Sequence, residues 1–170
     1  MHSLPATPPN FVDYLVQQGT SYYYQNQDNP FLSSKQLEKI YLAFTKGISS
    51  FHQLQETVIH NDFRYKNILV EQGNLSGVID FETAVQGPLC IEFFQLLFTH
   101  YYAKQEDDAD EQDFMEQFLQ VLPTLYPELC QYTDEQFRCF CLFRYLGKLV
   151  KFREPWYRHT EVEQFAKEFL

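Results

Sequence analysis

Two strings in this sequence hold side chains that can do chemistry together. The first is His60-Asn61-Asp62-Phe63-Arg64-Tyr65-Lys66-Asn67-Ile68-Leu69-Val70; the second is Val78-Ile79-Asp80-Phe81-Glu82. Asp62 and Asn67 stand at the two ends of a short loop that enters an extended stretch, and Asp80 closes a second one. An amide oxygen plus a carboxylate, with few other protein ligands, suits Mg2+, which keeps waters and shares its coordination with substrate phosphates. Asp62, one loop away, is then placed to take a proton from, or to orient, a hydroxyl attacking a γ-phosphate.

That chemistry needs a scaffold. Residues 68–71, the turn Gln72-Gly73-Asn74 and residues 75–80 predict a β-hairpin. A hairpin sets its outer ends side by side, so Asn67 and Asp80 can converge on one ion. Thr57-Val58-Ile59 reads as a short extended run delivering His60. Gly87-Pro88 reads as the opening of an apolar helix from Leu89 to about Tyr102.

The surroundings are helical. Asn10 caps a predicted short helix through Gln18, with Gly19 and 21–24 as loop. A helix over 34–52 would bury Leu37, Ile40, Tyr41, Phe44, Ile48 and Phe51 on one face. The acidic stretch 106–111 reads as a solvated loop. Helices follow at about 111–122 and 134–152, the second with Thr133 and Gln136 at capping-box spacing. Pro155 ends that region, and Thr160 starts a last helix with Val162, Phe165 and Phe169 on one face. The expectation is one domain over 1–170 of the α+β class, mainly helical, with the site on 58–82.

Bulk properties narrow the function. The chain has 170 residues, 45% apolar and 18% aromatic, which is a globular and not a disordered composition. Its 23 acidic and 13 basic side chains give a net charge of −10. That balance repels nucleic acid and anionic lipid and attracts cations. Four cysteines, Cys90, Cys130, Cys139 and Cys141, make no C-x-x-C pair and suit a reducing compartment. No signal peptide or bilayer-length apolar run is seen, so the cytoplasm is expected and no membrane partner.

The division of labour read above is the one protein kinases use, with an H-R-D-L-x-x-x-N loop and a later metal-binding D-F-G. The string His-x-Asp-x-x-x-x-Asn-Ile-Leu-Val, a hairpin, then Gly-Val-Ile-Asp-Phe-Glu resembles the aminoglycoside phosphotransferase/choline kinase superfamily. Gly87-Pro88-Leu89 with Glu92 is similar to that family's Gly-x-x-x-x-Asp segment, with Glu in place of Asp. His2-Ser3-Leu4-Pro5 is similar to the Leu-His-Ser-Leu-Pro that follows the family's lobe junction. The resemblance is sharpest over 58–97.

By this resemblance the fold is a protein-kinase-like C-terminal lobe, and the activity is ATP- or GTP-dependent phosphorylation of a small-molecule hydroxyl. Aminoglycosides, choline and sugar-like compounds, some of them cationic, are the acceptor classes. Asp62 matches the catalytic Asp, Asn67 and Asp80 the Mg2+ ligands, and His60 a buried brace of the loop. Glu92 takes the bracing acidic position, and Arg64 falls where protein kinases place a positive charge near the transferred phosphate. The family's N-terminal nucleotide lobe has no counterpart in the sequence. The expectation is therefore a truncated member with weak or no activity alone.

Two other readings stand beside it: a lobe completed in trans by a partner chain that supplies the nucleotide lobe, and a non-catalytic remnant or binding module. Glu82 reads as a loop carboxylate, His100, Tyr101 and Tyr102 as core, and Trp156 as a residue of the loop after Pro155.

Overall fold

A computed structural model of the chain describes residues 10–106 and 109–151. In chain order the elements are α1 (Phe11–Gln25), α2 (Ser34–Gly47), β1 (Glu56–Ile59), β2 (Ile68–Glu71), β3 (Asn74–Val78), β4 (Val85–Pro88), α3 (Cys90–Glu106), α4 (Ala109–Leu125) and α5 (Asp134–Lys151). The class is α+β and mainly helical. Two compact units emerge: the described parts of Met1–Leu54 and Thr133–Leu170, and the segment Gln55–Tyr132. Residues 2–5, Pro155, Trp156 and the helix expected from Thr160 lie outside the described residues.

The first unit packs α1, α2 and α5. Asn10 caps α1 by accepting from the Asp13 N–H at 2.9 Å. Ser33 and Gln36 form a reciprocal box at α2. Thr133 and Gln136 do the same at α5, with bonds of 2.8 and 3.2 Å. The stretch 34–52 divides into α2 and a tight 3-10 turn, Ile48–Phe51. Leu37, Ile40, Phe44, Ile48 and Phe51 are buried along it.

The loop expected after Gln18 is instead helix. Gly19 and Ser21 favour turns locally, yet α1 continues because its far half is packed. A Cβ added at Gly19 would fall 2.2 Å from the Phe44 ring, so glycine there admits the ring against the backbone. Tertiary contact overrides propensity.

In the second unit β1 and β4 pair antiparallel, Glu56 opposite Pro88 and Ile59 opposite Val85. Gly87 and Pro88 therefore end a strand, and the following helix starts at Cys90. β2 and β3 form the predicted hairpin, Ile68 opposite Val78, with an irregularity between Leu69 and Val70. Its turn residues Gln72 and Gly73 have φ of 50° and 79°. Two positive φ values give the turn whose twist matches its strands.

Helices α3 and α4 bury Phe93, Leu96 and Leu122, and Phe63 from the loop packs against them. The acidic stretch is not all loop. Glu106 ends α3, and residues 109–111 open α4. Residues 107 and 108 lie outside the described residues, as do the side chains of His100, Tyr101 and Tyr102.

All four cysteines are free. Burial pushes Cys90 to about 11 and Cys139 to about 12, and it raises Cys141 and Cys130 as well. Thiols held so high are inert near neutrality. Among the described residues no helix is long and apolar enough to cross a membrane.

Candidate active site

The loop between β1 and β2 is held chiefly through His60, which is 4% exposed. Its Nδ1 faces the Asp62 N–H at 3.3 Å, and its Nε2 faces the Ile79 carbonyl at 2.7 Å. A backbone N–H can only donate and a carbonyl can only accept, so the ring proton belongs on Nε2. Both ring nitrogens are thereby committed to backbone: one to the loop, one to the end of the hairpin. The ring also lies 4.5 Å from that of Phe81, centroid to centroid.

Glu92 secures the start of the loop from the first turn of α3. One carboxylate oxygen accepts the His60 N–H, and the other accepts the Asn61 N–H at 3.3 Å. Burial raises its pKa, and those two amide bonds pull it back. The sign follows from linkage. A folded-state pKa above the unfolded one favours the folded state most in acid, and that contribution is lost as pH rises through the raised value.

Glu92→Gln keeps one acceptor but turns an NH2 toward the second amide. The expected cost is about 1–2 kcal/mol in acid, from one amide left without an acceptor. The deficit should narrow as pH rises, since only the wild type carries the buried charge. Urea denaturation from the carboxylate range to neutrality measures it; a deficit that stays constant with pH would reject this account.

Asn67 closes the loop. It is 7% exposed; its Nδ2 donates to the Asp62 carbonyl at 2.9 Å and its N–H to the Arg64 carbonyl at 2.9 Å. Because the amide nitrogen is spent on the loop, the Oδ1 end is the one left for an electropositive ligand. The Asn67 carbonyl in turn accepts the Ile79 N–H at 3.0 Å, which ties the loop to the residue before Asp80.

Asp80 is exposed and sits at φ 68°, ψ 53° ahead of the short 3-10 turn Phe81–Thr83, yet its side chain does not cap that turn. A carboxylate kept only to shape a turn would bond to it. Asn61 also has positive φ, 62°. Two such non-glycine residues at the ends of the site's loops mark backbone held by its surroundings.

Asp62 is anchored through both its N–H and its carbonyl, while its carboxylate is partly open to solvent. Arg64 Nε approaches that carboxylate at 3.6 Å, an ion pair longer than a hydrogen bond. Glu82 is exposed in the 3-10 turn. Among the described residues no cluster of three His, Cys, Asp or Glu side chains forms a metal site. The donors that fit Mg2+ are the amide oxygen of Asn67 and the carboxylate of Asp80: hard oxygens, few in number, with room for water and phosphate.

Sequence reasoning missed Thr83. Its hydroxyl donates to the His60 carbonyl at 3.0 Å, and its own carbonyl accepts from Asn61 Nδ2 at 3.2 Å. No motif letter marks it, because a hydroxyl-to-backbone bond across 23 residues leaves no local pattern.

Comparison with known proteins gives one match. The model of a family described as phosphotransferase enzymes covers residues 2–132, which include the loop, the hairpin, α3 and α4. No curated protein and no solved structure matches the chain.

Proposed function

The chain belongs to the phosphotransferase enzyme family, and from that premise we propose that it transfers the γ-phosphoryl group of ATP or GTP to a hydroxyl of a small molecule. The carrying observation is the orientation of Asn67: its NH2 is spent on the Asp62 carbonyl, which leaves the amide oxygen for a ligand, while its backbone carbonyl holds the residue before Asp80. In this reading the chain, residues 1–170, is a protein-kinase-like C-terminal lobe, Asn67 and Asp80 hold Mg2+, and Asp62 is the base or orienting group.

Bound there, Mg2+ would neutralise charge on the nucleotide's phosphate oxygens. The chain's own part is positional. Asp62 accepts the acceptor's hydroxyl proton as that oxygen bonds to the γ-phosphorus. The bond from the γ-phosphorus to the bridging oxygen breaks, and a nucleoside diphosphate and a phosphate monoester leave. Arg64, beside Asp62, adds positive charge near the incoming phosphate.

The net charge of −10 supports a cationic acceptor of the amino-sugar or choline class, and it disfavours nucleic acid. The hairpin leaves Val70 63% and Leu75 69% exposed, an apolar surface suited to a nucleotide base or to a partner chain that covers one. The free, mostly buried thiols support a cytoplasmic setting.

The test combines two measurements on the whole chain. Mn2+ binding followed by electron paramagnetic resonance should show a site that Asp80→Asn weakens at least about tenfold, the usual cost of losing a ligand-sphere group. Phosphate from γ-labelled ATP or GTP should reach an aminoglycoside, choline or sugar hydroxyl, slowly from this chain alone, and chelation of the metal should stop it. Mn2+ binding indifferent to Asp80→Asn would reject the reading.

A further inference from the structure

Resting on the site proposed above, we infer that Thr83 is a positioning residue that fixes the placement of Asp80 relative to Asp62. The turn that carries Asp80 is gripped at both ends by one residue. Just before Asp80, the Ile79 carbonyl takes the His60 ring bond at 2.7 Å. Just after it, the 3-10 turn closes with the Ala84 N–H on the Phe81 carbonyl at 3.0 Å, and Thr83 Oγ1 donates to the His60 carbonyl at 3.0 Å. His60 Nδ1 meanwhile accepts the Asp62 N–H. Thr83, His60 and Asp62 therefore form one rigid chain of bonds around the turn.

Without the Thr83 hydroxyl, that turn keeps its ring bond at Ile79 and the Asn61 Nδ2 bond to the Thr83 carbonyl at 3.2 Å, and loses its one side-chain bond to His60 at the far end. The Asp80 carboxylate makes no cap bond to the turn, so its placement follows the backbone on either side of it. Thr83 is exposed, so replacing it opens no cavity in the core. Its hydroxyl bonds to the His60 carbonyl and orients the turn that carries Asp80, not the carboxylate itself, which puts the expected loss at the low end of the about 10–100-fold range for supporting bonds around a metal site.

The experiment compares the wild-type chain with Thr83→Val, which keeps the shape and removes the hydroxyl, and Thr83→Ser, which keeps the hydroxyl. Mn2+ is the probe, and thermal unfolding is recorded alongside. Expected results are Mn2+ affinity about tenfold weaker in Thr83→Val, affinity within about twofold of wild type in Thr83→Ser, and melting temperatures that stay together. Faster amide exchange at Ile79 and Ala84 in Thr83→Val alone would add support that does not depend on the metal. Wild-type affinity in Thr83→Val overturns the inference, as does equal weakening in both variants. A wild-type chain that takes up no Mn2+ rejects the underlying site instead, so the two failures are told apart.

Discussion

Asp62→Asn is expected to lower phosphoryl transfer by about 10²–10⁴-fold, the usual contribution of a positioned general acid–base group, while leaving the fold in place. The substitution is nearly isosteric, and the two bonds that place the residue are made by its backbone: its N–H to His60 Nδ1 and its carbonyl from Asn67 Nδ2. Neither depends on the side-chain charge. What disappears is the proton acceptor and the attraction to Arg64 at 3.6 Å. A half-exposed pair of that length, too long for a hydrogen bond, contributes about 1 kcal/mol or less, so the melting temperature should move little. Steady-state transfer to the best acceptor, measured beside thermal unfolding, separates the two effects. Retained activity within about threefold, far from the expected loss, would remove Asp62 from the chemistry. A large fall in stability would mean that the carboxylate is structural.

The hairpin and its polar ends were legible because their signals are local. Ile68-Leu69-Val70 and Leu75 to Val78 flank a Gln-Gly turn, and strands declare themselves by such short apolar runs with turn residues between. The capping boxes were legible for the same reason: Thr133 and Gln136 lie three residues apart and satisfy one another.

β4 was not legible. Val85-Gln86-Gly87-Pro88 has no alternation, and a Gly-Pro pair argues against a strand until a partner appears. Pairing with β1 creates that strand, and only the folded chain holds the information. The far half of α1 was hidden likewise, since Gly19 becomes helical through the Phe44 ring and not through its own propensity. Within the site the division repeats: Asp62, Asn67 and Asp80 are read from their spacing, whereas the grip of Thr83 on His60 is a contact between distant segments.

Asn67 allows the structural and ligand roles to be separated, because its amide has two ends with different work. Asn67→Ala removes both. The Asp62 carbonyl loses its 2.9 Å donor in a nearly buried place, which should cost about 1–3 kcal/mol, and the amide oxygen proposed to meet the metal is gone. Asn67→Asp removes only the donor and turns a carboxylate oxygen toward the Asp62 carbonyl. Without metal it should be destabilised at least as much, through repulsion of two acceptors; with metal its extra charge should recover stability, since a ligand that binds only the folded state raises its melting point. The expected order of metal-induced stabilisation is therefore Asn67→Asp at or above wild type, and Asn67→Ala near zero. Thermal unfolding with and without millimolar Mg2+ or Mn2+ reads this order directly. Transfer activity should fall in both, by about 10²-fold or more in Asn67→Ala, where an orienting group and a ligand are lost together. A metal response in Asn67→Ala equal to that of wild type would leave the amide a loop fastener alone, with Asp80 holding any cation by itself.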